Sequence, residues 1–181
     1  MTKRKIIIFS IGFALAAGVL LARVYLIDYY TIPQNGMYPG LPAGSLIFAY
    51  KRAYSTPADV RRGDIIVFTR TVKGQPYNYI WRVVGLPGET VQASGEALSV
   101  NGRAAKRERL HEDTKGVIFR EEIGDASYET CIQRSPKDEP PDASVTVPAD
   151  SFFVMGDNRF GAADSRSFGP IPFSAIIGRK L

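Results

Sequence analysis

Beyond position 26 no stretch of this 181-residue chain sustains an apolar period of 3.6 residues. The apolar residues fall instead into short runs, each cut off by glycine, proline or asparagine. A chain patterned this way buries its apolar groups by pairing strands rather than by packing helices. The runs are Ser45–Tyr50, Asp64–Thr69, Tyr79–Val84, Val117–Arg120, Tyr128–Gln133 and Ser151–Met155. Leu98-Ser99-Val100 followed by Asn101-Gly102 reads as a strand entering a hairpin turn. The expected fold class is all-β: a mostly antiparallel domain with few or no helices. Arg103–Asp150 is more polar and less patterned, with a surface loop expected over Pro136–Pro141.

The N-terminus is the exception. Lys3, Arg4 and Lys5 precede an uncharged apolar run from Ile6 to Ala22, which Arg23 closes. About 17 apolar residues is the short end of what spans a bilayer. Arg23 can snorkel, and Tyr25, Tyr29 and Tyr30 suit an interface. Basic residues ahead of the run favour a cytoplasmic start. The expected division is a cytoplasmic basic tail over 1–5, a transmembrane anchor over 6–26, and an exported β domain over 27–181 on the periplasmic or extracellular side. Within that domain, 90–150 is expected as an inserted, more variable region. Ala14-Leu15-Ala16 also fits a cleavage site, so a removed signal peptide is the competing reading.

The net charge of +5 is concentrated at the N-terminus and in Lys106, Arg107 and Arg109, which Glu108, Glu112 and Asp113 offset. It reads as solvated surface, and no nucleic-acid partner is expected. Cys131 is the single cysteine, so no intramolecular disulfide forms. It reads as a small buried apolar residue. His111, the single histidine, sits in a charged stretch and reads as surface. No Cys/His/Asp spacing suits a metal, and Gly85 and Gly88 flank a proline turn rather than a phosphate loop. Neither metal nor cofactor is expected.

Four segments stand out in order: Ile32-Pro33-Gln34-Asn35-Gly36-Met37-Tyr38-Pro39-Gly40-Leu41; Gly63-Asp64-Ile65-Ile66-Val67-Phe68; Tyr79-Ile80-Trp81-Arg82-Val83-Val84-Gly85-Leu86-Pro87-Gly88-Glu89; and Met155-Gly156-Asp157-Asn158-Arg159 with Asp164-Ser165-Arg166 and Gly169. Together they resemble the signature segments of the type I signal peptidases, the serine–lysine membrane peptidases that remove signal peptides. The resemblance implies an antiparallel signal-peptidase-type β domain with an inserted smaller β region, behind one N-terminal transmembrane helix. Phe168-Gly169-Pro170-Ile171-Pro172 and the compact size also resemble the conjugation-linked branch that matures pilins.

At the positions where that family does its chemistry, this chain carries other residues. Gly36 stands at the nucleophile position and Trp81 at the general-base lysine position. Gln34 stands where a serine helps bind the oxyanion, and Ala162 where a serine orients the lysine. Glycine offers no nucleophile, and an indole N–H donates but takes no proton. Arg82 points to the opposite strand face from Trp81 and remains a cation. Trp81 is expected to fill the lysine's volume, packing against Met37 and the Val83 side of its strand. Met37, Tyr79 and Val83 are the expected substrate-binding residues. The framework residues Asp157, Arg159, Asp164 and Arg166 are kept, and Asp164 with Arg166 match a family ion pair. Ser165 is expected to bond the backbone.

The pattern predicts a catalytically silent member of the family, holding an exported precursor or pilin-like peptide in a β-lined cleft by strand addition. Expected partners are that peptide, the membrane and an active paralogous signal peptidase. Two other readings stand beside it: an active peptidase with a non-standard site or a partner subunit, and a purely structural component of a secretion or conjugation assembly.

Overall fold

The computed structural model describes residues 3–134, 136 and 139–181. The start of the expected basic tail, residues 1–2, and part of the expected loop, residues 137 and 138, lie outside the described residues.

A helix, α1 (Lys3–Leu26), leads directly into β1 (Ile27–Thr31). Then come β2 (Leu46–Tyr50), β3 (Ile65–Val72) and β4 (Gln75–Gly85), with a 3₁₀ turn over Pro57–Asp59. Seven strands follow: β5 (Thr90–Ser94), β6 (Ala97–Val100), β7 (Arg103–Ala104), β8 (Lys106–Glu112), β9 (Gly116–Ile123), β10 (Ala126–Gln133) and β11 (Ala143–Thr146). The chain closes with β12 (Ser151–Met155), α2 (Ser165–Phe168), β13 (Ile171–Pro172), a 3₁₀ turn over Phe173–Ala175, and β14 (Ile176–Lys180).

The main sheet has seven strands in the order β1-β2-β14-β3-β4-β12-β13, and every recorded pairing in it is antiparallel. Between β4 and β12 the chain leaves this sheet and builds a four-stranded sheet, β11-β5-β6-β7, and a three-stranded one, β10-β9-β8. The loop that leaves is closed at its base, where Gly88 N–H donates to the Val147 carbonyl and Val147 N–H to that of Glu89, each at 2.8 Å. One core lies on the main sheet, around Ile66, Phe68, Trp81, Val83, Phe152 and Val154. The other joins the insert to it, around Val84, Val91, Leu98, Tyr128 and Phe153.

The apolar runs named above all form strands, and Asn101 and Gly102 both take the positive φ of a hairpin turn (52° and 74°). The polar stretch after Arg103 is the main difference. It is not loosely patterned but holds β7 to β11. β8, Lys-Arg-Glu-Arg-Leu-His-Glu, has no fully buried residue, so its period-2 signal is carried by charges rather than apolar groups. Glu108 opposite Arg120, 3.6 Å apart, is one such cross-strand pair. β1, β5 and β14 are five residues each, too short for periodicity to declare. α2 is a single turn, capped by the Asp164 side chain accepting from Arg166 N–H.

Among the described residues no helix is long and apolar enough to cross a membrane. Ile8, Ile11, Phe13, Leu15, Val19, Leu20 and Leu21 of α1 are all exposed.

Candidate functional site

The loop from Ile32 to Leu41 is pinned from both ends. Ile32 N–H donates to the Ser45 carbonyl at 2.9 Å and Leu41 N–H to that of Met37 at 2.8 Å. At its centre the Gly36 carbonyl accepts from Asn158 N–H at 3.0 Å, and the Asn35 carbonyl from the Asn158 side-chain amide at 3.1 Å. The Gly36 loop is thereby tied to the segment that follows β12. On its outer side the tip of the β8–β9 hairpin holds it as well. Tyr38 hydroxyl donates to Asp113, and Lys115 lies 4.2 Å from the Tyr38 ring centroid.

Trp81, near the end of β4, is 3% exposed. Its ring lies against both Gly36 and Gly156. A Cβ built at position 36 would come within 2.6 Å of Trp81 Cζ3, and one at position 156 within 3.2 Å of the same atom. Ala162 touches the same point, meeting any Cβ at 156. Gly36, Trp81, Gly156 and Ala162 therefore converge. The indole fills the space that side chains at 36 and 156 would need. Its N–H is buried and finds no acceptor.

Beside this cluster runs a groove of about 230 Å³, lined by Ile32, Pro33, Gln34 and Met37 on one side and Tyr77 to Trp81 on the other. Gln34 and Tyr77 are exposed at its mouth. β12 pairs with β4 only from Arg82 to Gly85, so the earlier part of β4 has no strand on that edge. Val83 turns both backbone groups the other way, its N–H to Asp64 and its carbonyl to Gly63, each at 2.8 Å. By alternation, the N–H and carbonyl groups of Asn78 and Ile80 face the free edge. Of the expected substrate contacts, Met37 and Tyr79 line the groove. Val83 does not: it is fully buried in the core, since only the part of β4 ahead of Arg82 borders the opening.

The framework residues pair differently from their order in the sequence. Asp164 and Arg166 form the expected bidentate pair, at 2.9 and 2.7 Å, and Asp164 also accepts from Gly156 N–H at 3.0 Å. Ser165 Oγ accepts from Val154 N–H at 2.9 Å. Asp157 and Arg159 do not meet each other. Asp157 takes both arms of Arg82, at 2.7 and 2.6 Å. Burial pushes its carboxyl above the usual range while Arg82 pulls it down. Arg159 reaches Glu121 on β9, at 2.8 and 2.5 Å, and Arg107 joins the same carboxylate at 2.8 Å. Burial alone would raise Glu121, but the two guanidinium groups hold it below the usual range. Glu121 and Asn158 are the site-shaping residues that sequence reasoning missed. Glu121 carried no signal, lying in a charged stretch with Arg120 and Glu122.

The arrangement has no nucleophile–base pair at its centre. Cys131 is fully buried, and burial pushes its thiol up to about 11, the protonated and inert side. His111 is exposed on β8. Among the described residues no cluster of His, Cys, Asp and Glu could hold a metal. What the site offers is a free strand edge, an apolar floor and exposed amide groups at the rim.

Residues 4–181 match the family model for signal peptidase, peptidase S26. Signal peptidase I of Pseudomonas aeruginosa is 34% identical over 189 residues, covering 90% of this chain and 66% of its own length. That of Leptolyngbya laminosa is 34% identical over 181 residues, covering 95% of this chain and 74% of its own length. That of Bacillus caldolyticus is 30% identical over 157 residues, covering 87% and 79%.

Proposed function

The chain belongs to the signal peptidase family, peptidase S26, and from that premise we propose that it is a membrane-anchored, catalytically silent member that holds exported precursor or pilin-like peptides as an added strand. The observation that carries this reading is the Trp81 ring standing against Gly36. A serine at 36 and a lysine at 81 are absent, and the volume they would share is already filled by an indole. The loss is therefore built into the packing. A serine restored at 36 alone meets a closed site.

Binding is a separate matter from cutting. The groove keeps what strand addition needs: unpaired backbone groups at Asn78 and Ile80, and apolar side chains of Ile32, Met37 and Tyr79. The role that follows is retention or presentation of a peptide, as an accessory factor in secretion or assembly, with an active paralogue doing the cleavage. The anchor is α1, on the strength of the uncharged run Ile6–Ala22 and the exposed apolar side chains along it.

The test uses the full chain in detergent with a small-x-small signal-peptide substrate. The wild type should bind it without turnover. The variant Gly36→Ser/Trp81→Lys/Gln34→Ser/Ala162→Ser should cleave it faster than Gly36→Ser/Trp81→Lys alone, because lost oxyanion donors and orienting groups each cost about a hundred- to a thousand-fold. Turnover by the wild type overturns the silent reading, and absence of binding overturns the peptide-holding one.

A further inference from the structure

Arg70 sits on β3 directly opposite Tyr77 on β4, two residues on from Phe68, which is opposite Tyr79. Directly opposed residues share a sheet face, so Arg70, Tyr77, Tyr79 and Trp81 form one stripe. The Arg70 guanidinium lies 3.6 Å from the Phe168 ring centroid and 5.4 Å from that of Tyr79. Tyr79 in turn packs against Phe68 at 5.7 Å, Phe168 at 6.0 Å and Trp81 at 6.5 Å. The arginine is half-buried and stacked, which fixes its plane. The buried arginines of the site framework each have a carboxylate: Arg82 has Asp157, Arg159 has Glu121, Arg166 has Asp164. Among the described residues no carboxylate lies within 4.0 Å of Arg70 and no partner accepts a hydrogen bond from its guanidinium, which meets only the two rings.

A cation held over an aromatic stripe and left without its counter-charge suits an acceptor that arrives with a ligand. The stripe's Tyr77 and Tyr79 border the groove. We infer that Arg70 is a specificity-determining residue of that groove, which selects extended peptides carrying a carboxylate side chain on the strand face shared with Tyr77 and Tyr79. This rests on the peptide-holding reading and adds the chemistry the peptide must bring. A strand laid on the free edge of β4 presents alternate residues to the stripe. Only every second position of the peptide therefore brings an acid within reach of the guanidinium, and the position beside Tyr77 and Tyr79 should count most.

The experiment measures binding of short, end-capped, otherwise uncharged peptides to the full chain in detergent, with a single glutamate walked through successive positions. The expected result is a gain of about five-fold over the uncharged peptide at the favoured position, the size of a partly exposed ion pair, with a period of two along the peptide and loss of the gain at high salt. Arg70→Gln should abolish the gain, read as the ratio of glutamate-bearing to uncharged peptide affinity within the same variant. Arg70→Glu should transfer the preference to a lysine at the same position. Equal affinity at every glutamate position in the wild type overturns the assignment without needing any variant. A gain that survives Arg70→Gln overturns it as well. Failure of every peptide, charged or not, to bind removes the groove reading itself.

Discussion

A side chain at position 36 has nowhere to go while Trp81 stands over it. The ring is wedged between Gly36 and Gly156 and is nearly inaccessible, so it yields only by repacking. Gly36→Ser alone should lower stability by about 1–3 kcal/mol, the usual cost of overpacking. In a Trp81→Ala background the same serine falls into a cavity and should cost much less. The double-mutant cycle, read by circular dichroism through urea unfolding, should give a coupling above about 0.5 kcal/mol. Additive costs would mean that the two positions do not contest one volume. Met37 and Trp81, expected to pack together, lie in one core.

The elements of the insert reach back to the site through charge. Glu121, on β9, neutralises Arg159, which follows β12, and both are fully buried. Removing one partner of such a pair strands the other, at about 3–5 kcal/mol. Glu121→Gln should therefore unfold at markedly lower urea than wild type at pH 7. The folded-state carboxyl lies below its unfolded value of about 4.3. Its stabilisation is thus fully present above that value and is lost as pH falls through the folded one. The gap between wild type and Glu121→Gln should narrow once pH falls below the unfolded value and onward through the lower folded one, and a constant gap would show that the charge is not what matters. This pair also marks where the sequence stops being informative. Asp164 with Arg166 was legible because the resemblance to the family implies an aspartate–arginine pair in that segment. Gly36, Trp81, Gln34 and Ala162 were legible because their motifs fix the register. Arg82 and Asp157 are 75 positions apart, and Glu121 and Arg159 are 38, on strands that only the topology brings together. The strands of the insert were hidden for a related reason: β8 alternates charge with charge, not apolar with polar.

For the molecule as a whole, the proposed arrangement sets α1 in the bilayer and the β domain outside the cytoplasm. A reporter fused after Leu181 should be active only in an exported compartment, and a mature N-terminus at Ala17 would instead identify a removed signal. The sheet's order bears on how such a chain is made. β14, last of the strands in chain order, lies between β2 and β3 in the middle of the main sheet, with Arg179 opposite both Tyr50 and Ile66. As the chain emerges from its N-terminal end, β2 and β3 come early and each must wait with one edge bare. In the insert β8, β9 and β10 pair as sequence neighbours and have no such wait, while β5 waits only for β11, which precedes β14 in the chain. A nascent chain will therefore finish its small sheets first and its central sheet last, and in the interval it offers an open edge on which another extended chain can pair.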